Sequence, residues 1–334
     1  DFTRSGSATR INSQGLIEEV SNGQSRLNYP MIDGKVVGCP HHILEPTRTN
    51  LLQYSEDFTS GWNLDGVTVL SNNAISPDGS LNADKITFTS GNERLYYIVS
   101  TSSAVFSVYL KGEEGEEVRI RNGSGVIRTN IRLTKKWERY EVFINASNTN
   151  IQIENINAEY VYAWGAVLES GSYPTSYIKS NGSPTTRQAE TANGSGDAAT
   201  FNDSEGVLMA EISAFSNTDA SPKVFSLSDG GGSNRVICFL YNTEVVANIQ
   251  KLGETAIDLR TDLGDVETPL KMSVKYKAND FALWINGFEI ATSSSGQTYS
   301  EGTLDRLNFD SGYGIEDFYG NTKQIQYYDS ALTD

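Results

Sequence analysis

Apolar and polar residues alternate with a period of two along most of this chain. In 104–110, Phe106, Val108 and Leu110 fall on one side while Ser107 and Tyr109 take the other. In 116–121, Val118 and Ile120 point inward and Glu117, Arg119 and Arg121 outward. In 280–286, Phe281, Leu283 and Ile285 share one face. No stretch beyond about ten residues carries the i, i+3, i+4, i+7 spacing of an amphipathic helix. Turn signals separate the alternating runs: Gly115, Asn122-Gly123, Gly230-Gly231-Gly232 and Asn286-Gly287. The last is a strong hairpin signal, because both central residues of the tightest hairpin turn need positive φ. Many short strands with frequent turns predict an all-β protein of sandwich or jelly-roll type.

The pattern divides the chain into zones. Residues 1–47 read as an irregular N-terminal arm. Residues 48–180 form a strand-rich module. Residues 181–200 are polar and rich in Gly and Ser, the composition of a linker or surface crossing. Residues 201–334 form a second strand-rich module, and 187–334 is expected to fold alone. A length of 334 residues accommodates two such domains. No short-period repeat suggests a solenoid or propeller.

Composition narrows the function. The hydrophobic share is 38%, and the formal net charge is −16. No basic stripe is visible that could follow a phosphate backbone, so nucleic acid and anionic membrane are poor partners. The acidity serves solubility, or cation binding in acidic loops. Cys39 and Cys238 fall in different modules, with no CxxC pair, and read as two buried thiols rather than a single long-range disulfide. No run of about 18 apolar residues predicts membrane insertion, and no signal-peptide pattern is expected in the chain.

Three segments carry a family likeness. The first is FTRSGSATRINSQGLIEEV, RLNYP and ILEPTRTNLL within 2–52. The second opens with NLLQYSEDFTSGWN, continues with SPDGSLNADKIT and closes with YVYAWGAVLESGSYPTSYIKSNGSPTTRQAE. The third is VFSLSDGGGSNRVICFLY, VKYKANDFALWINGFEIATSSSG and KQIQYYDSALTD. In kind and order these resemble bacteriophage tail-fibre and other virion structural proteins. There, a leader precedes a carbohydrate-binding-module-like jelly roll and a concanavalin-like, or laminin-G-like, sandwich. The resemblance implies a virion component whose modules bind glycans. Related jelly rolls often hold one structural calcium.

Candidate sites follow from chemistry. A sugar's CH face stacks on an exposed ring while its hydroxyls need polar partners. Trp62, Tyr96, Tyr97, Tyr313 and Tyr319 lie near turns or polar stretches and are the candidate glycan contacts. Trp137, Tyr140 and Trp164 fit strand alternation and read as core, and Trp284 as an outer face or a module interface. Calcium takes six to eight oxygen ligands. Glu56 and Asp57 follow the first strand of the jelly roll, and Asp78, Asn82 and Asp84 are read as a loop, so Glu56, Asp57, Asp78 and Asp84 are the candidate calcium ligands. A retaining glycosidase needs two carboxylates about 5–5.5 Å apart, and no alternating acid run supplies them. Glu211 stands alone, and Asp265 and Glu267 sit in a loop. His41 and His42 are adjacent and would point to opposite faces, which suits neither a metal site nor a Ser-His-Asp triad.

The expected protein is therefore two β-sandwiches in series behind an irregular arm. Its expected function is non-enzymatic: a virion-surface, receptor-binding protein that contacts host-surface polysaccharide and assembles with other virion proteins, trimeric if it follows fibre proteins. The alternatives are capsid decoration or fibre assembly without a glycan ligand, and the non-catalytic part of a glycan depolymerase.

Overall fold

The computed structural model describes residues 1–101, 103–123, 127–144 and 148–333. Among the described residues there is no α-helix, and the strands gather into two sandwiches. The first sandwich faces two five-stranded antiparallel sheets. One runs in the order Val67–Ile75, Leu81–Phe88, Tyr160–Ser170, Ala104–Lys111, Glu138–Ile144. The other runs Arg128–Arg132, Glu117–Asn122, Asn148–Asn155, Arg94–Thr101, Asn63–Asp65. Inward residues at every second position, among them Phe106, Val108, Leu110, Val118, Ile120, Ile151 and Ile153, form one core with Leu52, Phe58 and Trp62. Burying such side chains is the main stabilising term.

The second sandwich is built from two seven-stranded sheets around a core that includes Phe225, Leu227, Cys238, Met272, Phe281, Leu283 and Ile285. Asn286 and Gly287 have φ of 52° and 86°, and they join Phe281–Ile285 to Phe288–Ser293 as the hairpin signal predicts. Both cysteines are free thiols; Cys238 is buried as expected, but Cys39 is exposed, which corrects its reading as a buried thiol.

The zones expected as arm and linker make strands of their own. Phe2–Thr3 pairs with Thr191–Ser195 at the edge of one seven-stranded sheet. His41–Leu44 pairs with Gly320–Tyr328, and Leu27–Asn28 pairs with His41–Leu44, extending the other. Leu44 sits in the second core. The arm strands are two to four residues long, too short for an alternation to register in the sequence. The hairpin Ala8–Ile11 and Ile17–Val20 lies over the first sandwich, where Ile17 and Ile11 pack on Trp164, Val167 and Tyr177. Covered in this way, Ala104–Lys111 is buried on both faces through most of its length, and Ser107 is as buried as Phe106.

Beneath the arm lies a buried ion cluster. Glu190 Oε1 accepts from Arg4 Nη1 at 2.7 Å and from Arg26 Nε at 2.8 Å, and Arg26 Nη2 contacts Glu190 Oε2. Glu45 Oε2 accepts from Arg26 Nη2 at 2.7 Å and Arg187 Nη1 at 2.9 Å. Ser176 adds its backbone N–H and hydroxyl at 2.7 and 2.6 Å. Remaining guanidinium protons reach the carbonyls of Thr9, Val20 and Pro46. Burial alone would raise the Glu45 carboxyl, but Arg187, Arg26 and Ser176 hold it at about 2. The leader FTR, RLNY and LEPT, the jelly-roll end YPTSYI and the linker TTRQAE all converge here. These segments of the family likeness thus build the junction of arm and sandwiches.

Candidate functional site

The five aromatic candidates do not gather into one exposed site. Trp62 and Tyr97 are core residues: their rings lie 5.3 Å apart, Trp62 also packs on Phe58 and Phe106, and both are under a tenth exposed. Neither offers a free face to a sugar, which corrects their assignment as glycan contacts. The loop around Trp62 folds inward because the sandwich end needs an apolar plug. Tyr96 alternates with Tyr97 and half-emerges on the opposite face, with the Arg94 guanidinium 5.3 Å over its ring. Tyr313 is exposed in the second sandwich, under Arg235 at 5.0 Å. Tyr319 is half-buried and donates to Asp317 Oδ2 at 2.9 Å.

The calcium candidates are partly brought together. Glu56, Asp57 and Asp84 line a cavity of about 410 Å³ with Asn72, Asn82 and Lys179. Asp84, expected in a loop, lies on the strand Leu81–Phe88, where its oxygens accept from the backbone N–H of Phe58 and Asn72, both at 2.9 Å. Burial raises its pKa, and the neighbouring Asp57 and Glu56 raise it further. Glu56 accepts from Tyr177 at 2.7 Å and from Lys179 Nζ at 2.8 Å, so an ammonium already stands beside it. Asp57 Oδ1 accepts from the backbone and hydroxyl of Thr59. Asp78 Oδ1 closes its own turn, accepting from Ser76 and Ser80 at 2.6 and 2.7 Å. Among the described residues no group of three or more His, Cys, Asp or Glu side chains could hold a metal ion. The four carboxylates in this arrangement do not fit a calcium shell.

An aromatic row that the sequence reading passed over lies on the outer face of the Tyr160–Ser170 sheet. Val161 and Ala163 point into the core, so Tyr160 and Tyr162 point out, with rings 5.3 Å apart and nearly perpendicular. Lys85 and Lys111 flank Tyr162 on the neighbouring strands. Lys85 Nζ sits 4.0 Å over Tyr160, and Lys111 Nζ lies 4.9 Å from Trp137 and 5.4 Å from Tyr162. Trp137, expected as core, is half-buried and lines a groove of about 730 Å³ between the arm and the sandwich. Tyr29, Asn28, Gln14, Glu138 and Arg139 line the same groove. Flat rings beside amides, charges and a groove match what a saccharide needs: a stacking surface and directional hydroxyl partners. The alternation YVYA was the available signal, but nothing in it says which outer face the arm leaves open.

Glu211, read as solitary, shares a cavity of about 430 Å³ with Glu267, His41, Cys39 and Lys323. Its Oε1 accepts from Lys323 Nζ at 2.9 Å, and Glu267 accepts from the backbone of Asn217 at 2.8 Å. A carboxylate held by an ammonium is a poor general acid. His41 and His42 occupy successive positions on one strand, and burial lowers the pKa of each.

No family model matches the chain, and no curated protein matches it. Among solved structures, a sialidase CBM40 of Ruminococcus gnavus bound to α2,3-sialyllactose is 17% identical, covering 43% of this chain and 89% of its own, with a TM-score of 0.36. Mouse laminin α1 domains LG4-5 are 9% identical, covering 85% of this chain and 94% of their own, with a TM-score of 0.30. Sheep galectin-11 is 12% identical over 37% of this chain and 89% of its own, with a TM-score of 0.27. Likenesses of this depth carry no argument about function. The assignment of two β-sandwiches rests on the sheets themselves.

Proposed function

We propose that the chain is a non-catalytic glycan-binding protein of a virion surface, held there by other virion proteins and turned toward host-surface polysaccharide. The observation that carries the glycan reading is the outward row Tyr160, Tyr162 and Trp137, framed by Lys85 and Lys111 beside the groove. Large amphipathic rings are held on the sheet's outside, where the core makes no use of Tyr160 or Tyr162. The virion reading rests on the likeness of the leader, jelly-roll and sandwich segments to phage structural proteins. The test is binding of the purified chain to host capsular or wall polysaccharide. Tyr162→Ala and Trp137→Ala should each weaken binding about ten-fold, or about 1.4 kcal/mol, with no release of reducing ends by the parent chain. Undiminished binding by both variants would refute the row as the site. Antibody labelling of intact particles checks the location.

A further inference from the structure

The opposite sheet of the jelly roll presents a different chemistry. Leu95, Tyr97, Val118, Ile120, Ile151 and Ile153 face the core, so the residues that alternate with them face outward. Register places Asn63, Tyr96, Gln152, Arg121 and Arg128 in a single row across all five strands. Four interstrand steps of about 4.8 Å make the row about 19 Å long. The adjacent row runs Asp65, Arg94, Glu154, Arg119 and Asn130. In these two rows four arginines therefore meet two carboxylates, on a chain whose net charge is −16.

The internal pairing leaves this face cationic. Glu154 is shared by Arg119 at 3.1 Å and Arg121 at 3.0 Å, and Asp65 takes Arg94 at 3.1 Å. Arg128 makes no ion pair among the described residues, and it stands directly opposite Arg121 on the neighbouring strand. Like charges opposite each other destabilise a sheet, so folding alone gives no reason for that pair. Gln152 is 2% exposed under this surface, and its Oε1 has no hydrogen-bond partner, nor has Arg121 Nε. An unsatisfied buried acceptor and donor, side by side in the row, are costly unless something else completes them. Tyr96 supplies a ring beside them, and Ile98, on the same face, is 66% exposed.

We propose that this row is a second ligand site, distinct from the aromatic row, and that it takes anionic sugars: the carboxylate- or sulfate-bearing units of an acidic polysaccharide. Arg121 and Arg128 pair with the anionic group, the strongest use of guanidinium donors. Tyr96 stacks on a sugar ring, and the amide of Gln152 meets a hydroxyl. A nucleic acid would extend past the patch onto an acidic protein that repels its phosphates, so the short glycan segment is favoured.

The experiment titrates the full chain with polygalacturonate, dextran sulfate, neutral dextran and double-stranded DNA, at low and moderate salt. Binding is expected for one or both acidic glycans, weakening as salt rises, with none for neutral dextran. Arg121→Gln/Arg128→Gln should weaken that binding at least ten-fold at an unchanged or raised melting temperature, and Arg260→Gln, which removes an exposed arginine of the second sandwich, should leave it intact. Polygalacturonate alone or dextran sulfate alone would identify carboxylate or sulfate as the group read. The proposal is overturned if the double variant binds acidic glycan like the parent. It is overturned equally if DNA binds as tightly as the glycans, or if the double variant loses stability and no binding. None of these outcomes depends on the aromatic row, so the two sites stand or fall separately.

Discussion

Trp62 and Tyr162 show how residues of similar chemistry are given different work by their surroundings. Trp62 closes the end of the first core against Phe58, Tyr97 and Phe106, whereas Tyr162 stands on the outer face between two lysines. Trp62→Ala should therefore cost about 3–5 kcal/mol in denaturant unfolding, and Tyr162→Ala should leave stability within about 0.5 kcal/mol. Equal losses would mean that the two environments are misread. Glu45 makes a second case. Its carboxyl lies below the ordinary value of 4.5, at about 2. The folded state thus binds fewer protons than the unfolded chain between these pH values. The stability it contributes is complete above about pH 4.5 and declines as pH falls toward 2. Glu45→Gln should cost about 3–5 kcal/mol at neutral pH, because Arg26 and Arg187 lose a buried partner, and it should flatten the melting temperature between pH 4.5 and 2. A variant with the parent's slope would remove Glu45 from the acid transition.

The long strands were legible in the sequence because each has one face in a core and one outside. Phe281, Leu283 and Ile285 behave as their alternation predicts, and Trp284 lines an outer cavity with Met209 and Tyr328. Where alternation broke, the sequence reading strayed. In Tyr160–Ser170, Ala163 and Ala166 both face the core, because the strand bulges against Ser107 and Tyr109 where Gly165 adopts a φ of 65°. Trp164 is fully buried, as expected of a core residue, but under the arm against Tyr177 at 4.5 Å rather than between the two sheets. The aromatic row sits two residues upstream in the same strand, but its exposure depends on where the arm hairpin ends. Polar neighbours suggested exposure for Trp62 and Tyr97, but local polarity reports neither the loop that folds Trp62 back into the core nor the inward face that Tyr97 takes on the strand Arg94–Thr101. At the Asn286-Gly287 turn, Gly287→Val should cost about 1–3 kcal/mol, since a β-branched residue resists positive φ. An unchanged melting temperature would argue against that turn. The excised piece 187–334, expected from sequence to fold alone, lacks Phe2–Thr3, Leu27–Asn28 and His41–Leu44 and strands Arg187 and Glu190 without partners. It should show no cooperative melting while the full chain does, and a sharp transition at the parent's temperature would show that the arm strands are dispensable.

At the scale of the whole molecule, the arm decides whether two sandwiches behave as two domains. Modules joined by a polar linker ordinarily melt separately. Here the segment 1–47 closes the edge of both sheets of the second sandwich and covers the outer face of the first. The cluster of Arg4, Arg26, Arg187, Glu45 and Glu190 joins that segment to Ser176 at the end of the jelly roll and to the linker strands. Tyr173 of the first module stacks on Phe215 of the second at 5.5 Å. Opening the junction would leave several buried charges unpaired at once, each costing several kcal/mol, so neither sandwich can shed the arm without destabilising the other. The full chain should therefore unfold in a single calorimetric transition whose van't Hoff and calorimetric enthalpies agree. Glu190→Gln, which removes the shared partner of Arg4 and Arg26, should split that transition into two, the lower belonging to the second sandwich. Two resolved transitions in the parent chain would refute the coupling and return the molecule to independent modules on a string.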